Sequence, residues 1–393
     1  MEKKNILFLL GVYPNYGGTE KITTVLANEF SLLGFNVHIC SFEQPIASDE
    51  KLDKSVQLHK LNYPVLSRKN FADLKRIVRD HHISILINQW SLPFYTNILC
   101  NIAIKNQKCA LISVLHGIPH RSKKEIEAHD QYEKSKGLKK IQENLRLNVI
   151  KKIIRYSLKY TYNHSSKYVL LSNSYEAIFK KEASLHETKK LITIGNPITV
   201  AEPTGEIKNI IRNKRKEILY VGRMDYENKR VNRIVEAWSD IAHVYQDWKL
   251  VLVGDGPHKS ELEKYVLDNS VGNVEFTGFV KDDPIEYYKN ASIFLLTSDL
   301  EGFGLVLLEA MIYGVVPIVY GSYEAAYDIV DHNLNGFILP MPYKKEDTIS
   351  YLENLINDSE GRNKKAFSAY NKAKNFSLLS IVNQWQKLFY EVK

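Results

Sequence analysis

The chain has 393 residues, of which 44% are hydrophobic and 25% are charged, the composition of an ordinary globular protein with room for two domains. Its three cysteines contain no CxxC pair, which argues against a disulfide framework or a cysteine zinc site and favours a reducing cytoplasm. The net charge of +8 lies entirely in residues 121–167, which hold 13 Lys or Arg and 5 Asp or Glu, against 40 of each elsewhere.

Short apolar runs alternate with longer helical patterns along the chain, and this alternation predicts βαβ units with parallel sheets. The first run, Ile6–Val12, is too short to span a membrane and lacks a small-residue cleavage site, so it is interpreted as a buried strand. A helix with apolar residues at helical spacing is predicted over Thr19–Leu33. The predicted strands of the first half are Ile6–Gly11, Val37–Phe42, Ser84–Asn88, Ala110–His116, Val169–Ser172 and Leu191–Ile194.

Two strand ends in the first half carry candidate binding residues. Gly17 and Gly18 would let backbone amides approach a phosphate or a sugar, although a tight turn explains the pair equally well. His116, at the end of an apolar strand, could hydrogen-bond a reacting sugar or serve as a structural histidine. His81-His82 and the other histidines have no metal-ligand spacing, and no Asp-x-Asp occurs, so the sequence predicts no metal site.

The basic segment 121–167 also contains an amphipathic helical pattern. Its apolar stripe consists of Ile141, Leu145, Val149, Ile153, Tyr156 and Tyr160, with lysines and arginines around it. We expect the segment either to dock on anionic lipid at the inner face of a membrane or to form a packed helix with a solvated basic face. Charge alone would allow nucleic-acid binding, but the sequence has no recognisable nucleic-acid module, so no nucleic-acid partner is predicted.

The pattern is interrupted by prolines and glycines at residues 195–215, and this break predicts a domain boundary. The predicted strands beyond it are Glu217–Val221, Lys249–Val253, Val274–Thr277, Ile293–Thr297 and Val316–Val319, and the predicted helices are Val231–Val244, His258–Asn269, Pro284–Asn290 and Gly304–Tyr313. The last segment, Leu378–Val392, has one apolar helical face that needs a surface to pack on. We therefore predict domains at 1–195 and 196–375, followed by a C-terminal helix in 376–393 that packs back on the first domain.

The strongest chemical motif follows the predicted strand Ile293–Thr297, at the edge of the sheet where open α/β folds bind ligands. Glu301 lies in the loop before a predicted helix, and Glu309 lies two turns further on, inside that helix. The carboxylate of Glu301 can accept hydrogen bonds from sugar hydroxyls, and that of Glu309 can bind a ribose diol. The alternative is that Glu301 caps the helix and Glu309 is a surface residue. Gly302 and Gly304 allow the backbone close to a ligand, and the helix N-terminus suits a phosphate.

A second motif lies in the loop after the predicted strand Glu217–Val221. Arg223 and Lys229 in this loop could neutralise the two charges of a departing diphosphate, although ordinary surface cations would give the same pattern. Like the first motif, this loop lies at a strand end and precedes a predicted helix, which is where open α/β sheets bind ligands.

Together these motifs resemble the large family of retaining glycosyltransferases with the GT-B fold, family 4 in the usual classification. The resemblance covers nearly the whole chain and rests on GGTE, on HG after a strand, on VGRMDYENK, LVGDGP and FTGFV, on the E-x7-E motif, and on YGVVPIV followed by NLNGFIL. It implies an α/β fold of two Rossmann-like domains whose parallel sheets face each other across a cleft.

The resemblance also implies roles for individual residues. Catalytic contacts are expected from Arg223 and Lys229 on the donor diphosphate, from Glu301 on the donor sugar, and from His116 near that sugar. Donor-binding contacts are expected from Gly18, Gly222, Val280, Gly302, Phe303, Gly304, Leu305 and Glu309, with Glu309 on the ribose. Many relatives place the lysine five residues after the arginine, where this chain has Asn228, so its loop is one residue longer.

The implied activity is a retaining, metal-independent transfer of a hexose or N-acetylhexosamine from a nucleotide-diphosphate sugar, with a UDP-sugar favoured. The acceptor would be a saccharide or a lipid-linked saccharide in cell-surface polysaccharide or glycan synthesis, held by the N-terminal domain. No cofactor besides the nucleotide-sugar is expected, and the protein is expected in the cytoplasm or peripherally at the inner face of the membrane. The alternatives are a GT-B epimerase or phosphorylase, and a non-catalytic nucleotide-sugar or membrane-binding protein with the same fold.

Overall fold

A computed structural model describes residues 4–15, 17–45 and 51–392, which form two α/β units. The first unit comprises Met1–Pro197 and Ile381–Lys393, and the second comprises Ile198–Ser380. The first boundary lies two residues after the one expected from the sequence. The second boundary lies inside the last helix rather than before it.

The first unit is built on a seven-stranded parallel sheet with the strand order β3-β2-β1-β4-β5-β6-β7. Its strands are β1 (Asn5–Val12), β2 (Asn36–Glu43), β3 (Gln57–Lys60), β4 (Ile85–Asn88), β5 (Ala110–Leu115), β6 (Lys167–Leu170) and β7 (Leu191–Thr193). Its helices up to the boundary are α1 (Gly18–Leu32), α2 (Arg68–Asp80), α3 (Phe94–Ile104), α4 (Lys123–Lys134), α5 (Gly137–Asn163) and α6 (Glu176–Glu182). The central strands are continuous apolar runs because parallel strands are covered on both faces.

The second unit is built on a six-stranded parallel sheet with the strand order β10-β9-β8-β11-β12-β13. Its strands are β8 (Glu217–Val221), β9 (Lys249–Val253), β10 (Val274–Gly278), β11 (Ile293–Leu296), β12 (Val316–Tyr320) and β13 (Phe337–Leu339). The helices that follow the boundary are α7 (Ile207–Arg212), α8 (Val231–Ile241), α9 (Lys259–Asp268), α10 (Ile285–Asn290), α11 (Leu305–Ile312), α12 (Ala325–Ile329), α13 (Lys345–Asn357), α14 (Ser359–Ala373) and α15 (Leu378–Glu391). The expected α/β class with two parallel-sheet Rossmann-like domains is confirmed.

The apolar face of α15 is buried in the first unit. The Phe389 ring packs edge-on against Phe30 of α1, with ring centroids 5.1 Å apart, and against Phe35, at 5.9 Å. Trp385 and Val382 are buried on the same helical face. These contacts explain why the last residues of the chain belong with the first unit although the second unit intervenes in sequence.

The longest helix is α5, with 27 residues. Among the helices in the described part of the chain, none has the combination of length and apolar character that a membrane span requires. The C-terminal half of α5 is anchored in the first unit by Ser157, Leu158, Thr161 and Tyr162, which are buried. Its N-terminal half presents large apolar side chains to solvent.

Candidate active site

The loop after β8 is shaped by close backbone contacts that only glycine permits. Gly222 has φ +154°, and a Cβ at this position would lie 2.9 Å from the Tyr220 hydroxyl oxygen. That hydroxyl donates a hydrogen bond of 2.8 Å to the carbonyl of Arg223. A Cβ on Gly254, after β9, would lie 2.0 Å from the Gly222 carbonyl oxygen. The two loops therefore approach each other at the carboxyl edge of the six-stranded sheet with no space for a side chain.

The same loop is held from within by Asp225. Its Oδ1 accepts hydrogen bonds from the backbone N–H groups of Asn228, at 2.8 Å, and Lys229, at 2.9 Å. The extra residue in this loop is thus accommodated in a turn around a buried carboxylate. In this turn it is Lys229, not Asn228, that directs its side chain to the next loop.

The ion pair between Lys229 and Glu301 is the central contact of the candidate site. Lys229 Nζ donates to Glu301 Oε1, and 26% of the lysine side chain and 13% of the glutamate side chain remain exposed. It joins the loops after β8 and β11, which are neighbouring parallel strands. The structure therefore brings together a cation and a carboxylate that lie 72 residues apart in sequence.

Arg223 has a different environment from Lys229. About 70% of its side chain is exposed, and its Nε lies 3.9 Å from Asp225 Oδ2. An exposed guanidinium at the rim of the site can reorient at little cost to contact an anion. Arg223 is thus an accessible cation, whereas Lys229 is a positioned one.

Asp299 ties the two loops together and was not singled out from the sequence. Its carboxylate accepts hydrogen bonds from Arg230 Nε, at 2.5 Å, and from Arg233 Nη1, at 2.6 Å. Its backbone N–H donates to the carbonyl of Asn228 at 2.7 Å. The sequence alone does not show that Asp299 contacts Arg230 and Arg233. The contact follows from the strand order, which places β8 next to β11. These bonds fix the geometry in which Lys229 reaches Glu301.

Gly304 sets the start of α11 and has a conformation that disfavours other residues. Its φ is +85°, and a Cβ there would lie 2.6 Å from the Tyr323 hydroxyl oxygen. Phe303 is buried against Phe376, with ring centroids 5.7 Å apart. Leu305 is the first residue of the helix, so the first-turn N–H groups and the positive end of the dipole lie just beyond Glu301. Such an end can bind a phosphate.

Glu309 is buried inside α11 and bound by two hydroxyl groups. Thr199 Oγ1 donates to Glu309 Oε1 at 2.5 Å, and the Tyr288 hydroxyl donates to Oε2 at 2.9 Å. Burial, together with the charge of Glu309, raises the pKa of Tyr288, so this hydroxyl remains a donor at neutral pH. The surface-residue alternative for Glu309 is therefore wrong: only 3% of the residue is exposed. Neither Thr199 nor Tyr288 belongs to a motif that the sequence reveals.

The remaining donor-binding candidates of this unit lie at the turn after β10 and in the loop after β11. Gly278 has φ +75° and its carbonyl accepts a hydrogen bond of 3.0 Å from Gly254. Phe279 is exposed and Val280 is half-buried. Gly302 lies between Glu301 and the buried Phe303 and is half-buried. All these positions lie at the carboxyl edge of the six-stranded sheet.

The candidates of the first unit, Gly18 and His116, lie at the carboxyl ends of β1 and β5. Gly18 is the first residue of α1. The ring of His116 is hydrogen-bonded through Nε2 to the side-chain oxygen of Gln89, and burial lowers its pKa to about 4. His116 is therefore a neutral hydrogen-bonding group at pH 7 rather than a cation. Gln89, its partner, was not predicted.

A cavity of about 310 Å³ lies at this edge of the first sheet. His116, Gln89, Glu20, Trp90 and Tyr63 are among its lining residues. Burial raises the pKa of Glu20 above its ordinary value. The walls therefore combine aromatic faces with a carboxyl group and a neutral imidazole, a mixture that suits a polar ring compound with apolar faces.

Most residues of the second unit that form this site belong to a segment that matches a known protein family. Residues 204–374 match the family described as Glycosyl transferases group 1. Over 391 residues the chain is 23% identical to an uncharacterized glycosyltransferase of Haemophilus influenzae, with 98% of this chain and 99% of that protein covered. Residues 204–374 therefore form a group 1 glycosyltransferase domain, and the chain is a glycosyltransferase. The matched residues contain Lys229, Glu301 and Glu309.

Two further similarities bear on this glycosyltransferase. Over 187 residues it is 31% identical to a Campylobacter jejuni alpha-1,4-N-acetyl-D-galactosaminyltransferase named for a PP-undecaprenol-linked saccharide, with 46% of this chain and 49% of that protein covered. The solved structure of the Anabaena protein HepE in complex with UDP and glucose has a TM-score of 0.73 at 16% identity, with 98% of this chain and 99% of that chain covered. The structural similarity shows a shared fold, the GT-B fold that the sequence resemblance implied.

Proposed function

We propose that this glycosyltransferase moves a hexose or N-acetylhexosamine from a nucleotide-diphosphate sugar, with a UDP-sugar favoured, to a saccharide or lipid-linked acceptor in cell-surface polysaccharide or glycan synthesis. The observation that carries the proposal is the ion pair of Lys229 and Glu301, four residues before α11. One corner of the sheet then offers a cation, a carboxylate and a helix N-terminus to a diphosphate sugar. The UDP and glucose bound by HepE and the PP-undecaprenol-linked saccharide of the Campylobacter relative support the substrate classes.

In the proposed reaction the bond between the anomeric carbon and the β-phosphate oxygen breaks, and its electron pair stays on the departing phosphate. Lys229, Arg223 and the N-terminus of α11 stabilise the charge that develops there. Removing one such group costs about 10²–10³ in kcat in well-studied enzymes. Arg223 is exposed at the rim of the site and closes on the diphosphate when the donor binds.

Glu301 acts by position rather than as a nucleophile. Its ion pair with Lys229 holds one carboxylate oxygen in place, and the second oxygen is proposed to accept hydrogen bonds from donor-sugar hydroxyls. The acceptor oxygen attacks the anomeric carbon on the face that the phosphate leaves, and its proton passes to the departing phosphate. The product then has the anomeric configuration of the donor.

The two proposed cations and the helix N-terminus supply the positive charge that a metal ion supplies in other donor sites. We therefore propose that transfer requires no metal ion at the donor. Glu309 is proposed to bind the ribose, Gly222 and the turn at Val280 the rest of the nucleotide, and the backbone from Gly302 to Leu305 the sugar and phosphate.

The acceptor is proposed to occupy the cavity of the first unit. The faces of Trp90 and Tyr63 can pack against the apolar face of a sugar ring, and Glu20 can accept hydrogen bonds from its hydroxyls. His116, neutral and oriented by Gln89, is proposed to hydrogen-bond a reacting sugar, and the backbone at Gly18 to contact the diphosphate. The cavity volume of about 310 Å³ is at the lower end of the range for small-molecule sites.

The N-terminal half of α5 is proposed to dock on an anionic membrane. Ile141 and Leu145 expose 69% and 67% of their surface, and Leu138 and Val149 are exposed as well. A stripe of this size on one helical face is unusual for a surface that meets only water. The packed-helix alternative accounts for the C-terminal half of α5, whereas it leaves this stripe unexplained.

The charges around the stripe favour a membrane over a neutral partner. Lys139, Lys152 and Lys159 are exposed on α5. An open depression of about 530 Å³ at its C-terminal half is lined by Lys159, Lys180, Lys181 and His186, among other residues. Anionic lipid attracts such groups by about 1 kcal/mol for each lysine or arginine near the surface. Peripheral binding at the inner face of the membrane would place the enzyme beside a lipid-linked acceptor.

The function is tested by incubating the purified full-length chain with UDP-, GDP- and ADP-sugars and a panel of saccharide and lipid-linked acceptors. We expect nucleotide release that depends on an acceptor, persists in EDTA, and yields a product whose anomeric configuration by NMR equals that of the donor. Release of an epimerised sugar or of a sugar phosphate would instead indicate an epimerase or a phosphorylase. Donor binding without turnover across the panel would indicate a non-catalytic protein.

A further inference from the structure

Three histidines from three different elements converge in the first unit. His38 lies on β2, His59 on the neighbouring edge strand β3, and His81 directly follows α2. The ring centroids are 5.3 Å apart for His38 and His59, 4.6 Å for His38 and His81, and 5.1 Å for His59 and His81. Over residues 4–15, 17–45 and 51–392, this is the one group of three His, Cys, Asp or Glu side chains whose ligand atoms all lie within 4.8 Å of one another.

The fold creates this cluster from residues that are distant in sequence. Parallel pairing of β2 and β3 places His59 opposite Cys40, two positions along the strand from His38 and hence on the same face of the sheet. The end of α2 is anchored by the Asn5 side chain, which donates a hydrogen bond of 2.7 Å to the carbonyl of His81. Spacing along the chain gave no metal motif because each ligand comes from a separate element.

The nitrogens are already close to the spacing of metal ligands. His38 Nδ1 lies 3.0 Å from His59 Nε2. Nitrogens bound to a tetrahedral zinc ion lie about 3.3 Å apart, since each Zn–N bond is about 2.0–2.1 Å. The ligand nitrogen of His81 lies within 4.8 Å of the other two, so a side-chain movement of at most about 1.5 Å would bring it into the same coordination sphere.

We propose that His38, His59 and His81 form a binding site for a divalent transition-metal ion, with Zn²⁺ favoured and water as the fourth ligand. Three imidazoles without a carboxylate suit such ions and not Mg²⁺ or Ca²⁺, which prefer oxygen ligands. His59 and His81 are half-buried, so an ion can enter from solvent, whereas His38 is buried and fixed.

Two further features agree with the geometry. Burial, with a smaller contribution from the neighbouring histidines, lowers the pKa of both His38 and His59 to about 4. Their rings are thus neutral at pH 7, which is the form that coordinates a metal. The close packing of the three rings, with one nitrogen pair in hydrogen-bond contact, is a preorganised donor set.

The site lies away from the proposed transfer chemistry. His38 is opposite Leu7 in the pairing of β1 and β2, whereas the cavity of this unit is lined by Leu10, Gly11 and Val12 of β1. The metal would therefore tie the edge strand β3 and the end of α2 to β2. We infer a structural role, which neither requires nor follows from the proposed transfer reaction.

The test uses the full-length chain without a histidine tag, stripped with EDTA and transferred to chelator-free buffer. Calorimetry should show one Zn²⁺ bound per chain. At 100 times its Kd, Zn²⁺ should raise the unfolding midpoint by about 5 °C. Co²⁺ should give the visible absorption of a nitrogen-ligated tetrahedral ion. Mg²⁺ should neither bind at this stoichiometry nor raise the unfolding midpoint.

Variants at the two half-buried positions assign the site. His59→Asn and His81→Asn should each weaken Zn²⁺ binding at least about tenfold and abolish the Co²⁺ absorption. The matched control is His82→Asn, because His82 is adjacent, exposed and at φ +49°, a conformation that asparagine tolerates. Absence of stoichiometric Zn²⁺ binding by the parent chain, or equal binding by His59→Asn and His82→Asn, would overturn the proposal.

Discussion

The Tyr288 hydroxyl donates a hydrogen bond of 2.9 Å to the carboxylate of Glu309 in the core of the second unit. Thr199 donates to the other oxygen, so the position of this carboxylate is set by two protein hydroxyls. Each carboxylate oxygen can accept a second hydrogen bond, which is the capacity that a ribose diol would use. Glu309 is thus both a structural acceptor and a candidate ligand for the nucleotide.

Replacing Glu309 separates these two roles. Glu309→Ala leaves the Thr199 and Tyr288 hydroxyls without their acceptor in a buried site, and we expect it to lower the free energy of unfolding by about 1–3 kcal/mol. Glu309→Gln keeps an acceptor oxygen, so we expect a smaller loss of stability together with a higher KM for the donor. Urea unfolding and donor kinetics measure the two effects. A Glu309→Ala chain as stable as the parent would contradict the first role.

Gly304→Ala tests the entry to α11. The substitution forces alanine to φ +85° and places its Cβ 2.6 Å from the Tyr323 hydroxyl oxygen. We expect a loss of about 1–3 kcal/mol in unfolding free energy and a lower kcat, since the helix start must shift. Gly272→Ala is the matched control because a Cβ there has no atom within 4 Å. Equal behaviour of the two variants in thermal unfolding and in turnover would show that the conformation of Gly304 is unimportant.

Lys214 gives a pH-dependent stability prediction. Burial lowers its pKa to about 7, with Glu217 opposing the shift, and its Nζ donates to the carbonyl of Tyr288. Between pH 7 and the ordinary lysine pKa near 10.5 the unfolded chain binds more protons than the folded chain, so this lysine's contribution to stability increases as pH rises through that window. The gain in unfolding midpoint of Lys214→Met over the parent should therefore be larger at pH 7 than at pH 10. A difference independent of pH would contradict the lowered pKa.

Membrane docking predicts a salt-sensitive interaction with anionic vesicles. Ile141→Ser combined with Leu145→Ser should weaken co-sedimentation with vesicles containing phosphatidylglycerol at least about tenfold, because two large apolar side chains no longer insert. Leu267→Ser is the control, as Leu267 is at least as exposed as Ile141 and Leu145 but lies on α9 of the second unit.

Raising the salt concentration should release the parent chain from these vesicles, and neutral vesicles should bind it weakly. Equal binding by the double variant and the control, or no binding at any salt concentration, would refute docking through α5. A dimer in solution that only the double variant loses would show that a second copy of the chain covers the stripe instead.

The sheet architecture was largely accessible from the sequence because buried parallel strands are continuous apolar runs bounded by turn residues. Strands β8 and β9 lie where they were predicted, and most others differ at their ends by one or two residues. The strand β3 was missed because Gln57–Lys60 is an exposed edge with no apolar pattern. The strand β13 was missed as well, because a run of only three residues is too short to show a strand pattern. Strand order, a property of long-range packing, could not be predicted at all.

The candidate site was predictable only in its individual residues. Glu301 and Lys229 were named separately, but their pairing follows from β8 and β11 being neighbours, which no local pattern reveals. Asp299 and Thr199 were missed because a single Asp or Thr in a loop carries no chemical signature. The cluster of His38, His59 and His81 was missed because its members lie on three separate elements, and only the fold brings them together.

Turnover in variants of the Lys229–Glu301 ion pair shows whether the donor binds there. Lys229→Ala and Glu301→Gln should each lower the rate of acceptor-dependent nucleotide release by about 10²-fold or more, because each removes a group that positions or neutralises the donor in the transition state. Lys364→Ala, which breaks an exposed lysine–glutamate pair on α14, should leave the rate unchanged. If Lys229→Ala and Glu301→Gln instead release nucleotide as fast as Lys364→Ala, the donor site does not lie at this ion pair.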